Sequence, residues 1–144
     1  MTASPPSTPP EYGPPISLSV ATRVMEAAQA EAMANHWPMV IAIVDTTGNL
    51  VMLHKLDHAQ LGSVRIAQAK AETAVKFKRA TKVFEDLLAG GGVGLRVLAM
   101  EAVCPLEGGV PLIAEGKVIG AIGVSGMLST QDAQVAAAGS SALS

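Results

Sequence analysis

Two pairs of β-rich runs, each folded back on itself around a glycine, constrain this chain more than any other feature. Met39 to Asp45 and Asn49 to Leu56 are separated only by Thr46-Thr47-Gly48, and Val110 to Ala114 and Lys117 to Val124 only by Glu115-Gly116. Glycine supplies the positive φ that a tight connection needs, whereas parallel strands need a crossover of a dozen or more residues. Each pair is therefore expected to form an antiparallel hairpin.

Around the hairpins the apolar residues change to helical spacing. Val20, Val24, Ala27, Ala28 and Met33 share one face of a helix that Ser17 or Ser19 can cap and that runs to about Asn35, closed by His36-Trp37-Pro38 because the residue before a proline avoids the helical region. A second helix is expected from about Gln60 to Phe77, burying Leu61, Val64, Ala67, Ala71, Ala74 and Val75, with alanines small enough for close approach to a sheet. Thr81 can cap a short third helix through Leu88, stopped by Gly90-Gly91-Gly92, and Ser129 or Thr130 a last one from Gln131 to Leu143. Val93 to Met100 reads equally as loop or strand. The order helix, hairpin, two helices, strand, hairpin, helix describes an α/β chain of the α+β type, an antiparallel sheet flanked by helices.

Residues 1–15 hold six of the nine prolines and little that could enter a core, so they are expected to be an extended or disordered Pro-rich arm, with residues 16–144 as the folded domain. A chain of 144 residues supports one core. With 49% hydrophobic and only 15% charged residues, it has little polar material to cover its surface, which points to apolar surface hidden in a homo-oligomer. The net charge of -2 and the dispersed lysines argue against nucleic acid as a partner. The lone Cys104 forms no intrachain disulfide and reads as a small core residue. No segment approaches the roughly 20 apolar residues of a membrane span, so no membrane partner is expected and the cytoplasm is the expected location.

The residues that could carry chemistry gather at turns. His54 and His58 are four apart, but His54 falls in a strand and His58 in the turn after it, so the spacing does not by itself converge two imidazoles on one metal ion. Each reads as a surface or interface histidine or as an axial ligand of haem iron. Asp45 at a strand end suits a carboxylate bonded to nearby amides, while Asp57, between Lys55 and His58 before a helix start, is a candidate acid or base. Lys70 lies among alanines and must cross an apolar region to reach water or a partner. Gly109 and the run Gly120 to Gly126 put glycines in strands, where they cost stability unless a close backbone approach needs them. Ser125-Gly126 stands where free amides at a helix mouth could take a carboxylate or propionate.

The strings Ile41 to Leu53, Lys55, Asp57, Ala59, Ile66-Ala67, Lys70 to Ala74, Gly108 to Pro111, Val118 to Gly126 and Gln131-Asp132 resemble, in order and spacing, the GlcG/HbpS-like family, also seen as the C-terminal domain of PduO-type proteins. The resemblance runs from about Leu18 to Leu143. It implies an antiparallel sheet flanked by helices, homo-oligomers from dimer to octamer, and a small-molecule ligand that in some members is haem or a related tetrapyrrole. On this reading His54, His58, Lys55, Lys70, Gly109, Ser125 and Gly126 are ligand-binding candidates. The alternative is an enzyme acting on a small carboxylated metabolite, with Asp57 and His58 catalytic and Lys70 or the Ser125-Gly126 amides holding the carboxylate. A third reading is an accessory oligomer whose Pro-rich arm recruits a partner. The chain departs from the family pattern at Lys55, where Arg is common, and at His58, where Gly or Asn is common.

Overall fold

The computed structural model describes residues 8–143. Four strands, β1 (Val40–Asp45), β2 (Leu50–Lys55), β3 (Gly109–Ala114) and β4 (Lys117–Ser125), form one antiparallel sheet in the order β2-β1-β4-β3. Both expected hairpins are present, and the sheet is closed by pairing β1 with β4, Val40 opposite Ser125 through Asp45 opposite Gly120. Helices α1 (Leu18–Ala34) and α4 (Ser129–Ser141) cover one face, and α2 (Ser63–Phe77) covers the other, followed by α3 (Lys82–Ala89).

Coverage on both faces explains why β1 reads VIAIV without polar alternation. Ile41 and Ile43 pack with Ala21, Val24 and Met25 of α1 and Val135 of α4, whereas Val40, Ala42 and Val44 pack with the alanines of α2. In β4, partner positions pass from Gly120 to Val118, so Ile119 is a bulge that shifts the alternation and lets Ile119 and Ile122 join the same core.

The glycines and alanines are steric partners. A Cβ on Gly123 would overlap the Ala67 carbonyl oxygen and lie 2.5 Å from the Ala71 nitrogen, and one on Gly109 would overlap the Lys70 carbonyl oxygen. Helix α2 thus rests its backbone on β3 and β4, which the absence of a side chain on the strand glycines and the small alanines on the helix allow.

The Asp45 carboxylate organises the β1–β2 turn. It accepts from the Thr47 hydroxyl (2.6 Å), the Thr47 N–H (2.8 Å) and the Asn49 N–H (3.2 Å). Desolvation pushes its pKa up, but these three bonds together outweigh that and hold the carboxyl below its ordinary value. A carboxyl with a lowered folded pKa stabilises above its unfolded pKa, near pH 4, and this contribution is lost as pH falls through the folded value. Asp45→Ala is expected to cost about 1 kcal/mol at neutral pH, a modest figure because the turn is solvated. Thermal melts of both proteins should converge as the pH is lowered toward 3; a gap that stays constant would contradict the assignment.

Several local expectations change. Val93 to Met100 is neither strand nor open loop: Gly92–Ala99 winds into a 3-10 helix stacked on α3, entered through Gly91 and Gly92 at φ 64° and 58°. Helix α2 begins at Ser63, not Gln60. Thr81 precedes α3, but its hydroxyl accepts the Gly109 N–H (2.9 Å) and makes no cap bond, so it ties α3 to β3. Helix α4 is capped by neither Ser129 nor Thr130. Instead Gln131 Oε1 accepts the Leu128 N–H (3.2 Å) and Asp132 Oδ1 the Met127 N–H (3.0 Å).

The end of the Pro-rich arm also differs from a free tail. Beyond the point where β1 stops, residues 11–16 run along β4: Glu11 accepts the Val118 N–H (2.9 Å), Gly13 donates to the Val118 carbonyl (2.8 Å), and Ile16 donates to that of Ile119 (2.9 Å). Pro14 and Pro15 have no N–H, so the donors fall on the residues flanking them. The Tyr12 hydroxyl donates to the Val75 carbonyl (2.6 Å), and the Lys78 ammonium sits 4.5 Å from the Tyr12 ring centroid. Residues 1–7, just under half of the expected arm, lie outside the described residues.

Candidate functional site

An open groove of about 710 Å³ lies between the end of α1 and the end of β2. Its α1 wall carries Gln29 and Met33 and continues into His36, Trp37 and Pro38. The facing wall carries Leu53, His54 and Lys55 of β2, then Leu56, Asp57 and His58. All three histidines of the chain line this one groove.

Local backbone chemistry places them. Helix α1 ends in paired bonds, Trp37 N–H to the Ala32 carbonyl (2.9 Å) and His36 N–H to that of Met33 (3.1 Å), the Schellman arrangement whose left-handed position usually holds glycine. His36 occupies that position at φ 60°. This motif ends the helix before Trp37-Pro38 could. On the other wall the Ala59 N–H donates to the Leu56 carbonyl (3.1 Å), and His58 stands at φ 70° in that turn. Positive φ is the physical reason why Gly or Asn suits the His58 position. Each histidine bears a backbone cost of about 1 kcal/mol that a glycine would not, and such strain gathers at functional sites. The Leu56 N–H donates to the Met39 carbonyl (2.9 Å), joining the two walls.

His54 projects from the edge strand and is held by a 2.6 Å bond between its Nδ1 and Oε1 of Gln29. Lys55 and Asp57 supply one positive and one negative charge at the rim, and Met33, Trp37, Leu53 and Leu56 supply apolar surface. Volume and lining match ligand sites, which run roughly 300–1,000 Å³ and combine apolar walls with a few polar groups.

The structure brings together His54, Lys55, Asp57 and His58, and separates them from the other candidates. Lys70 is 2% exposed, and its Nζ donates to the Val124 carbonyl (2.8 Å) and to Asp132 Oδ2 (3.0 Å). Burial pushes the Asp132 carboxyl up, and the Lys70 ammonium and the Met127 N–H bring it partly back. A Cβ on Gly108, at φ 133°, would stand 2.8 Å from Lys70 Nζ, so this glycine roofs the pair. Gly109 is pressed against the Lys70 backbone. The Ser125 hydroxyl donates to Ser63 Oγ (3.0 Å) in the interior. Gly126, at φ 150°, packs against Pro38 and Met39 from behind the groove. None of Lys70, Gly109, Ser125 and Gly126 lines the groove, and the amides at the mouth of α4 are already met by Gln131 and Asp132.

A smaller cavity of about 440 Å³ lies between α2 and the segment before β3, with Glu72 and Cys104 among apolar residues. Burial pushes the Cys104 thiol up, as for an inert core cysteine. His36, Gln29, Met33 and Trp37 are groove residues that the linear pattern does not pick out. Their signal lies in the helix end: a histidine at a left-handed position next to Trp-Pro.

A two-face-covered antiparallel sheet with a histidine-lined groove at the junction of its edge strand and first helix defines an α+β protein suited to a small ligand. The chain belongs to the GlcG/HbpS-like family: residues 16–141 match the family described as haem degrading protein HbpS-like. It is 37% identical to the protein GlcG of Escherichia coli over 110 residues, 76% of this chain and 81% of that one. Its fold superposes on the PduOC–haem complex with a TM-score of 0.80 at 31% identity, covering 89% and 94% of the two chains. On a double mutant of Streptomyces reticuli HbpS the TM-score is 0.83 at 28% identity, covering 100% and 96%. Among the described residues, no helix is long and apolar enough to cross a membrane.

Proposed function

We propose that this protein binds haem or a related tetrapyrrole in the groove between α1 and β2. The observation that carries the reading is the gathering of His36, His54 and His58, all the histidines of the chain, onto one apolar groove. Among the described residues no three His, Cys, Asp or Glu side chains meet closely enough to hold a bare metal ion. A macrocycle brings four nitrogens to its metal and asks the protein for one or two axial ligands, which single histidines can supply. Trp37, Leu53 and Leu56 offer flat apolar contact, and Lys55 offers a cation to a propionate. The family description and the haem complex of the PduO domain support the same ligand class.

When bound, haem would supply redox-active iron; His54 or His58 would hold it and the rim charges would orient it. Titrating the protein with hemin is expected to give a saturable Soret shift, weakened at least tenfold in His54→Ala or His58→Ala, whichever residue ligates. A titration without saturation removes the reading. The alternative, an enzyme for a small carboxylated metabolite, is supported by Lys55, Asp57 and His58 sharing the rim, a cation beside an acid–base pair. In that case Asp57→Asn and His58→Ala should abolish turnover while leaving hemin without effect.

The same reading includes self-assembly. Leu87 on α3 and Val93, Leu95 and Leu98 on the 3-10 helix are exposed, an apolar surface that a second copy would cover. Sedimentation of the titration samples reports this directly, and a monomer mass would reject it.

A further inference from the structure

We infer that Gln29 is a positioning residue that fixes the tautomer of His54, leaving Nε2 of that histidine as the atom that ligates the metal of a bound macrocycle. This rests on the haem reading of the groove for its ligand, but the tautomer itself is a property of the chain alone.

The geometry is specific. Gln29, half-buried on α1, reaches across to β2, and its Oε1 lies 2.6 Å from His54 Nδ1. The same amide places Nε2 3.7 Å from Met33 Sδ, one turn further along the helix, a weak bond that assigns nitrogen to the sulfur and oxygen to the imidazole. An amide oxygen only accepts, so the proton of the neutral ring must sit on Nδ1, and the lone pair is left on Nε2. Ligating histidines characteristically donate their other ring N–H to an oxygen acceptor, which locks the ring and raises its basicity. Among the described residues neither His36 nor His58 has a hydrogen-bonded ring. His54 is thus the one groove histidine that the scaffold prepares as a ligand, while His36 and His58 are presented from strained turns without a partner.

The test has two readouts. In 15N-labelled protein without ligand, at a pH where the ring is neutral, imidazole correlation spectra should show His54 protonated at Nδ1, and Gln29→Leu should shift it toward the Nε2–H form. With hemin, Gln29→Leu should weaken binding by about 10- to 100-fold, the usual size of such outer contacts. Gln29→Glu, a stronger acceptor, should retain binding and raise the iron–histidine stretching frequency in the ferrous protein, with the reduction potential falling in the order Leu, Gln, Glu. An Nε2–H form of His54 in the wild type overturns the inference. So does a potential and stretching frequency that ignore Gln29 although His54→Ala abolishes the Soret shift. If hemin does not bind at all, the haem reading fails by itself, and the imidazole spectra still decide the tautomer.

Discussion

Lys70→Ala is expected to lower the melting temperature by roughly 10–15 °C. The replaced ammonium is 2% exposed and is the only cation within contact of Asp132 among the described residues. Its loss leaves a carboxylate in the interior, roofed by Gly108, without a counter-charge, and breaking one partner of a buried pair costs about 3–5 kcal/mol. For a domain of this size each kcal/mol moves the midpoint by roughly 3 °C. The double variant Lys70→Met with Asp132→Leu should recover part of the loss, since no unpaired charge remains. Recovery should stop short of complete, because the Met127 N–H and one lone pair of the Val124 carbonyl lose their partners. A thermal-melt double-mutant cycle reads both numbers. A single-variant loss below about 1 kcal/mol would mean that water reaches Asp132 and that the pair is not a dry one.

Gly123→Ala is the second large effect. One methyl group there collides with the backbone of α2 at Ala67 and Ala71, and backbone cannot rotate away as a side chain can. Helix α2 would have to lift from β4, loosening the Val44, Ala74 and Ala121 contacts beside it. Overpacking of this kind costs about 3 kcal/mol or more when the obstacle is rigid. Gly62→Ala is the matched control. Gly62 precedes α2 with φ -61° and ψ -25°, and an added Cβ there meets nothing within 4 Å. That change should leave the melt unchanged or raise it slightly, by reducing the freedom of the unfolded chain. Equal melting temperatures for both variants would refute the close-packing account of the strand glycines.

How far the candidate site was legible follows from the distance over which each signal acts. Lys55, Asp57 and His58 stand together in the sequence, and a turn of four residues keeps them together in space. His54 belongs with them because the same strand delivers it. His36 and Gln29 lie on another element, and nothing in the run of residues around them shows which strand α1 will cross. Lys70 shows the reverse case. Its position among alanines announced a burial problem, but its partner Asp132 is 62 residues away, so the lysine read equally well as a ligand-binding group. Ser125 and Gly126 looked like the mouth of an anion site until the side chains of Gln131 and Asp132 turned back to occupy the amides. The 3-10 helix over Gly92–Ala99 was hidden for another reason: a glycine-rich stretch has weak periodicity, and its stacking on α3 selects the conformation.

Met33 and Leu61, expected on the buried faces of α1 and α2, are 60% and 80% exposed. Taken alone, the sequence determined both hairpins, the burial of Val24 and Ala28 in α1 and of Ala67, Ala71, Ala74 and Val75 in α2, and the stop of α3 at Gly90. Each of these is written within a few residues, by the two-residue alternation of strands, the 3.6-residue repeat of helices and the φ that only some residues accept. Tertiary structure alone decided that β1 lies against β4, that the three histidines share a groove, that Gln29 holds His54, and that Lys70 ends on Asp132. These depend on how separately specified elements dock, which is settled by summed burial over the whole core.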